Sequence, residues 1–253
     1  KDIYIFQAGH GQDIIKDNSQ DWTNFQNFND VGFEGANFAD AQFLKIGNDL
    51  VIKAFGAEDT VTLKNYLNDN DSYSRDFNFI FADKTISTSD IMNISIQQEG
   101  TDGNDVLTGW GSRDELIGGL GDDTLNGNEG VDTLIGGIGD DVLNGGTGLD
   151  TAIFKLLQGF ESDATGGNGI DTWGDFNLSQ GDKIDVSDLF IGEISKENLN
   201  QFVSFEKNGS TVTLSLDRDG SGTNYSSSKI LALNNQSSLN SLDDLIQVDT
   251  FII

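Results

Sequence analysis

The chain has 253 residues, enough for one large all-β domain or two or three smaller units. Lys and Arg total 14 against 42 Asp and Glu, and the resulting formal charge of −28 repels nucleic acid and anionic membrane surfaces. With no Cys, disulfides, thiolate metal sites and a cysteine nucleophile are excluded. No apolar run reaches the roughly 18 residues that a membrane-spanning helix needs. Seventeen Phe, three Trp and four Tyr argue against disorder, so cations are expected to be part of the folded state.

The opening "KDIYIFQAGHG" lacks a basic stretch followed by an apolar one, so it is no signal peptide, and it reads as the start of an excised fragment. Within it, "AGHGQDIIK" (8–16) is one degenerate nine-residue phrase carrying Asp13. His10 has no second His or nucleophile beside it and is assigned no role. The alternation in "DLVIKAF" and "TVTLKNYL" predicts short strands, with "KNYLND" a turn or brief helix.

From Gly100 the chain cuts into nines: GTDGNDVLT, GWGSRDELI, GGLGDDTLN, GNEGVDTLI, GGIGDDVLN and GGTGLDTAI, ending at Ile153. Every sixth position is Asp (Asp105, Asp114, Asp123, Asp132, Asp141, Asp150), and the eighth is Leu until Ala152 ends the run. Glycines at positions one, two and four permit tight turns, and the triplet around the eighth position is a short strand with one inward apolar residue. Two nonapeptides make one coil, so turns n and n+2 stack on the same edge. Oxygen donors from two stacked turns then surround a hard cation, and six or more oxygens is calcium chemistry. One large apolar side chain per nine residues is a thin core, and stacked aspartates repel, so the repeat is expected to be disordered without calcium.

The phrase G-G-x-G-x-D-x-U-x is the calcium-binding RTX nonapeptide, and residues 100–153 resemble the parallel β-roll of RTX proteins exported by bacterial type I secretion. The resemblance implies that each ion takes the position-two and position-four carbonyls and the Asp of one turn. From the turn two repeats on it takes the position-one and position-three carbonyls and the Asp. On one edge this implies a first ion on Thr101, Gly103, Asp105, Gly118, Leu120 and Asp123, and a second on Gly119, Gly121, Asp123, Gly136, Ile138 and Asp141. On the other edge the sets are Trp110, Ser112, Asp114, Gly127, Glu129 and Asp132, then Asn128, Gly130, Asp132, Gly145, Thr147 and Asp150. Ser112 departs from the pattern, standing where Gly is expected. At least four ions along the roll follow.

The period breaks at "FKLLQGFESDAT" and returns as "GGNGIDTWG" (166–174), read as a seventh turn in which Gly166, Asn168 and Asp171 join Gly137, Gly139 and Asp141. "DFNLSQGDKIDVSDLF", with Asp175 and Asp182, is similar to the segment that closes the roll in many type I secreted proteins. "FVSFEKNGSTVTLSLD" predicts a β-hairpin turning at Asn208-Gly209. "DRDGSG" offers Asp217, Asp219 and Ser221 as half of an EF-hand-style loop or as an ordinary polar loop. Asp13, Asp175, Asp182, Asp217, Asp219 and Ser221 form a secondary set of metal candidates. "LNSLDDLIQVDTFII" combines a short amphipathic helix with an apolar tail and resembles the export signal of RTX adhesins. "YIFQAGHGQDII", "NDLVIKAFGAEDTVTLKNYL" and "FIFADKTISTSDI" resemble the haemolysin-type calcium-binding related region that precedes such repeats.

The expected fold is all-β, a calcium-bound parallel β-roll (β-solenoid) flanked by β-rich capping regions. Its parts are 1–99, a haemolysin-type calcium-binding related region; 100–174, the roll; and 175–253, a C-terminal cap and secretion-signal region. The expected function is a calcium-dependent folding and type I secretion module ending a large bacterial surface adhesin. Two alternatives stay open: the RTX module of a secreted protease or lipase, and a calcium-dependent glycan-binding domain. No HExxH and no GxSxG occurs, so no catalysis is expected within the chain. Expected partners are the type I secretion machinery and upstream adhesin domains of the same chain, with no nucleic acid. A monomer, secreted or at the bacterial surface, completes the expectation.

Overall fold

The structure, a computed structural model, describes residues 2–16, 29–67, 77–91, 93–111, 113–160, 162–220, 222, 224–246 and 250–253. It is nearly all-β; the α-helices among the described residues are the single turns Thr88–Ile91 and Leu242–Ile246. No helix of the described residues is long and apolar enough to cross a membrane. The chain divides into two compact units, Lys1–Gln98 and Glu99–Ile253.

In the first unit, strands Ile3–Phe6, Asn29–Phe33 and Phe77–Ile80 lie parallel, with Thr85–Ser87 antiparallel at the end. A second set runs Gln12–Ile15, Thr60–Leu63, Asp49–Lys53, Gln42–Ile46. Alternation predicts the strands in DLVIKAF and TVTLKNYL, and it places Leu50, Ile52, Val61 and Leu63 in the core at no more than 1% exposed. Lys64–Leu67 form a turn; the rest of KNYLND lies outside the described residues.

The second unit is built on the nonapeptide. Val106–Thr108, Thr124–Asn126, Val142–Asn144 and Asp171–Trp173 pair in parallel in one sheet. Arg113–Leu120, Thr133–Ile138, Thr151–Ile153 and Lys183–Asp185 pair in parallel in another. Paired residues are two repeats apart, as in Leu107↔Leu125↔Leu143 and Leu116↔Leu134↔Ala152. The eighth positions therefore form two buried columns, one continuing into Trp173 and the other into Ile184. This is a parallel β-roll.

Both sheets run on beyond the nonapeptides. Ser228–Leu233 adds in parallel to Asp171–Trp173, followed by the antiparallel strands Thr211–Leu216 and Val203–Asn208. Phe251–Ile252 adds in parallel to Lys183–Asp185. One hydrophobic core joins Leu107, Leu125, Leu143 and Trp173 to Val212, Leu214, Leu231, Leu239 and Leu245. The hairpin turns one residue later than the Asn-Gly dipeptide suggests: Asn208 pairs with Thr211, leaving Gly209 (φ 64) and Ser210 in the loop. Burial sets that register, because it turns Val212, Leu214 and Leu216 into the core.

Candidate metal centre

Glycine and aspartate positions of the repeat converge on a series of cradles along both edges of the roll. The six aspartates are joined into ladders by one recurring bond, in which the backbone N–H of each donates to Oδ1 of the Asp one coil further on. On one edge the steps are Asp105 to Asp123 (2.8 Å), Asp123 to Asp141 (2.8 Å) and Asp141 to Asp171 (3.0 Å). On the other they are Asp114 to Asp132 (2.9 Å), Asp132 to Asp150 (2.9 Å) and Asp150 to Asp182 (3.1 Å). Asp114, Asp123, Asp132, Asp141, Asp150, Asp171 and Asp182 are no more than 3% exposed.

The second carboxylate oxygen is the informative one. Oδ2 of Asp123, Asp132, Asp141 and Asp150 is buried and has no hydrogen-bond partner. A buried polar atom left unpaired costs about 1–3 kcal/mol, and more when it is charged. In the first turn of each edge the oxygen is instead engaged: Asp105 Oδ2 accepts from Thr101 N–H (2.7 Å) and hydroxyl (2.8 Å), and Asp114 Oδ2 accepts from Trp110 N–H (2.8 Å). The difference tracks position two. Gly119, Asn128, Gly137 and Gly146 have positive φ there, whereas Thr101 and Trp110, whose side chains disfavour that conformation, do not.

Position one is glycine because oxygens occupy the space of a side chain. A Cβ at Gly109 would lie 2.5 Å from the Gly127 carbonyl oxygen and 2.8 Å from Asp114 Oδ2. The same pairing recurs at Gly100 (Gly118 O, Asp105 Oδ2), Gly118 (Gly136 O, Asp123 Oδ2) and Gly127 (Gly145 O, Asp132 Oδ2). Each cradle thus joins the carboxylate of one turn to the position-one carbonyl of the turn two repeats on. Position-two and position-four carbonyls face the next coil: Thr101 O lies 2.6 Å from a Cβ on Gly119, and the oxygens of Gly119, Gly121, Asn128 and Gly130 crowd Gly137, Gly139, Gly146 and Gly148. At Gly121 a Cβ would instead meet the Gly103 carbonyl carbon (2.8 Å) and Asn104 N and Oδ1 (2.9 Å each). At position three, Leu120 pairs with Ile138, and Glu129 bridges to Thr147. Ser112 lies outside the described residues.

Burial shifts these carboxyls upward, with only Arg113 opposing it by charge, at Asp132. Asp132 is pushed from 3.8 to about 7 and Asp141 to about 6, mainly by desolvation, with like-charged ladder neighbours adding to it. Asp123 and Asp150 move up for the same leading reason, and Asp171 lies well above 3.8. Asp105, outside the buried row, is lowered by the Thr101 N–H and hydroxyl. Among the described residues no three His, Cys, Asp or Glu side chains converge, so a cation here draws on two carboxylates and backbone carbonyls. Such an all-oxygen shell suits Ca²⁺.

The seventh turn is partly brought in. Gly169 stacks against the Gly139 carbonyl and Asp171 takes its ladder step, but the Gly166 carbonyl accepts from Leu157 N–H (2.9 Å). The Asn168 amide donates to the Lys155 and Thr165 carbonyls.

Among the secondary candidates, Asp175 accepts from the N–H groups of Gly145 (2.9 Å) and Gly146 (2.8 Å) and the Trp173 indole (3.0 Å). Asp13 faces His10 Nδ1 at 2.8 Å, with the imidazole between Phe6 and Phe55. Asp217 and Asp219 each keep one buried unpaired Oδ1, while Ser221 lies outside the described residues. Sequence reasoning missed Gln180, whose Oε1 accepts Gly148 N–H (2.7 Å), and the position-five ladder in which Asp122 N–H donates to Asn104 and Asp140 N–H to Asp122 (3.0 Å each). Only the eighteen-residue recurrence of Asn104, Asp122 and Asp140 signalled the latter.

The profile of the RTX calcium-binding nonapeptide repeat (four copies) matches residues 99–125 and 117–152. Residues 99–152 are thus RTX calcium-binding nonapeptide repeats, and these repeats bind Ca²⁺. Among solved structures it is similar to AlgE6R3, a subunit of the Azotobacter vinelandii mannuronan C5-epimerase, at 32% identity and a TM-score of 0.41 over 60% of this chain and 80% of that one. AlgE6R2 of the same epimerase is 26% identical, with a TM-score of 0.40 over 64% of this chain and 92% of that one. The extracellular lipase LipA from Serratia marcescens is 18% identical, with a TM-score of 0.42 over 96% of this chain and 34% of that one. A search of curated proteins finds no match.

Proposed function

We propose that this chain is a calcium-dependent folding and type I secretion module at the C-terminal end of a large bacterial surface adhesin. The observation that carries the calcium reading is the row of buried Asp Oδ2 atoms without partners, each over a position-one glycine. Four ions are held by the six nonapeptides in the sets built on Asp105/Asp123, Asp123/Asp141, Asp114/Asp132 and Asp132/Asp150. A fifth sits between Asp141 and Asp171 with fewer carbonyls, since Gly166 is turned away. The ions neutralise the stacked carboxylates and convert an unfavourable row of buried charge into the cross-links of the fold. In calcium-poor cytosol the chain stays unfolded and exportable; outside, it folds. The chain performs no catalysis, and its partners are the secretion machinery and the adhesin domains that precede it.

The long non-repeat regions flanking a short roll, and the ending "GDKIDVSDLF…LDDLI…FII", support the adhesin context. The test is export from a bacterium carrying a type I exporter. The full chain is expected in the medium, and a chain lacking residues 175–253 is expected to remain in the cells. Equal export of both would contradict the secretion role.

A further inference from the structure

The aspartate ladder continues past the last full nonapeptide into a segment that lacks the glycines of the repeat. Asp150 N–H donates to Asp182 Oδ1 at 3.1 Å, the bond that links every other pair in the ladder, here spanning 32 residues instead of 18. Asp182 lies in "NLSQGDKID" (177–185), which keeps the sixth-position Asp and an apolar eighth position but has no glycine at positions one, two or four. The backbone nevertheless follows the path of the roll, because Ala152 pairs with Ile184 and Thr151 with Lys183 in parallel.

The sixth repeat is held against residues 175–180 by three of its turn N–H groups. Gly145 and Gly146 donate to Asp175, and Gly148 donates to Gln180. Asp150 itself is wholly buried, at 0% exposed, and its Oδ2 has no partner. That oxygen lies over Gly145, as Asp123 Oδ2 lies over Gly118 and Asp132 Oδ2 over Gly127. Asp182, at 3% exposed, uses Oδ1 for the ladder and Oδ2 for Asn177 N–H at 2.8 Å. Two buried carboxylates in successive coils, one with a free oxygen, thus meet at the end of the roll. The other edge ends differently: beyond Asp171 the paired residue is Leu231, which offers no carboxylate.

We propose that Asp150 and Asp182 hold a further calcium ion between the sixth nonapeptide and the closing segment 177–182. The site is assembled with a glycine-bearing nonapeptide on only one side, and it ties the C-terminal cap to the roll through the ion. It rests on the reading of the nonapeptides as calcium sites. Asp150 then serves two ions, whereas without this site it serves one.

The test counts bound calcium per folded full-length chain by native mass spectrometry in the parent, Asp182→Asn, Asp150→Asn and Asp185→Asn. Asn at 182 keeps one oxygen to accept Asp150 N–H, while removing the charge and the second oxygen, which accepts Asn177 N–H. Asp182→Asn is expected to bind one ion fewer than the parent, and Asp150→Asn two fewer. Asp185→Asn should match the parent, since the Asp185 carboxylate serves Ser187 and lies off the ladder. An unchanged count in Asp182→Asn, or the loss of a single ion in Asp150→Asn, overturns the site. If Asp182→Asn does not fold in calcium, the Asp150→Asn count decides. A parent that binds no calcium overturns the nonapeptide reading itself, which separates that failure from failure of this site alone.

Discussion

Asp123 is tied into the ladder at both ends, since Oδ1 accepts Asp105 N–H and its own N–H donates to Asp141. Asp123→Ala strips a carboxylate from two proposed sites and leaves the Asp105 N–H without its acceptor, at about 1–3 kcal/mol for a buried group. Asp105→Ala touches one site. The calcium midpoint of folding should therefore rise more in Asp123→Ala, with two ions lost against one; equal shifts would contradict stacking two repeats apart. Protons compete for the same oxygens. Asp132, Asp141 and Asp182 have carboxyls raised from 3.8 to about 7, 6 and 6 in the folded chain, so between about pH 4 and pH 7 the folded state binds more protons than the unfolded one. That contribution to stability is complete below the unfolded pKa and is lost as pH rises through 6 to 7. In calcium-free buffer the β-signal in circular dichroism should accordingly be larger at pH 5.5 than at pH 8; the opposite trend would mean these carboxyls are not buried together. The sixth-position aspartates were legible because a residue's role depends on its place in the nine, whereas the N–H bonds that join them into ladders were not. The Asp13–His10 pair was not, because a single degenerate phrase does not tell which side chain its Asp will meet.

At the scale of the turn, what decides is whether a Cβ has room. Gly109 lacks positive φ, so Gly109→Ala tests space alone: its methyl would press on Gly127 O and Asp114 Oδ2. A loss of about 1–3 kcal/mol is expected, as for other overpacked sites. Gly103→Ala should be silent to within about 0.5 kcal/mol, because the nearest atom to its Cβ is Thr101 Oγ1 at 4.0 Å. Calcium-dependent melting of the two variants checks this, and equal destabilisation would remove the steric reading of the cradle. Strands and turns inside the repeat could be read from glycine and leucine spacing. How the roll closes could not, since "FKLLQGFESDAT" interrupts the count, and Asp175 and Gln180 find their partners about 30 residues back.

Across the second unit the roll and the C-terminal segment share one core, with the column Leu107, Leu125, Leu143, Trp173 continuing into Leu233 and the other, through Ile184, into Phe251. A chain ending at Ile153 keeps all six nonapeptides but loses these last strands, leaving both sheets with open edges. It is expected to remain largely disordered at calcium concentrations that fold the full chain. Folding at the same calcium concentration and with the same cooperativity would show that the cap is dispensable. The central claim, that calcium is an integral part of this fold, is tested most directly by far-UV circular dichroism of the full chain titrated with calcium from chelator. The expected result is a mostly unfolded spectrum in chelator and cooperative gain of β-structure as calcium approaches the ~10⁻⁴–10⁻³ M range of extracellular sites, with magnesium at the same concentration failing to substitute. Equal β-content with and without calcium would contradict it.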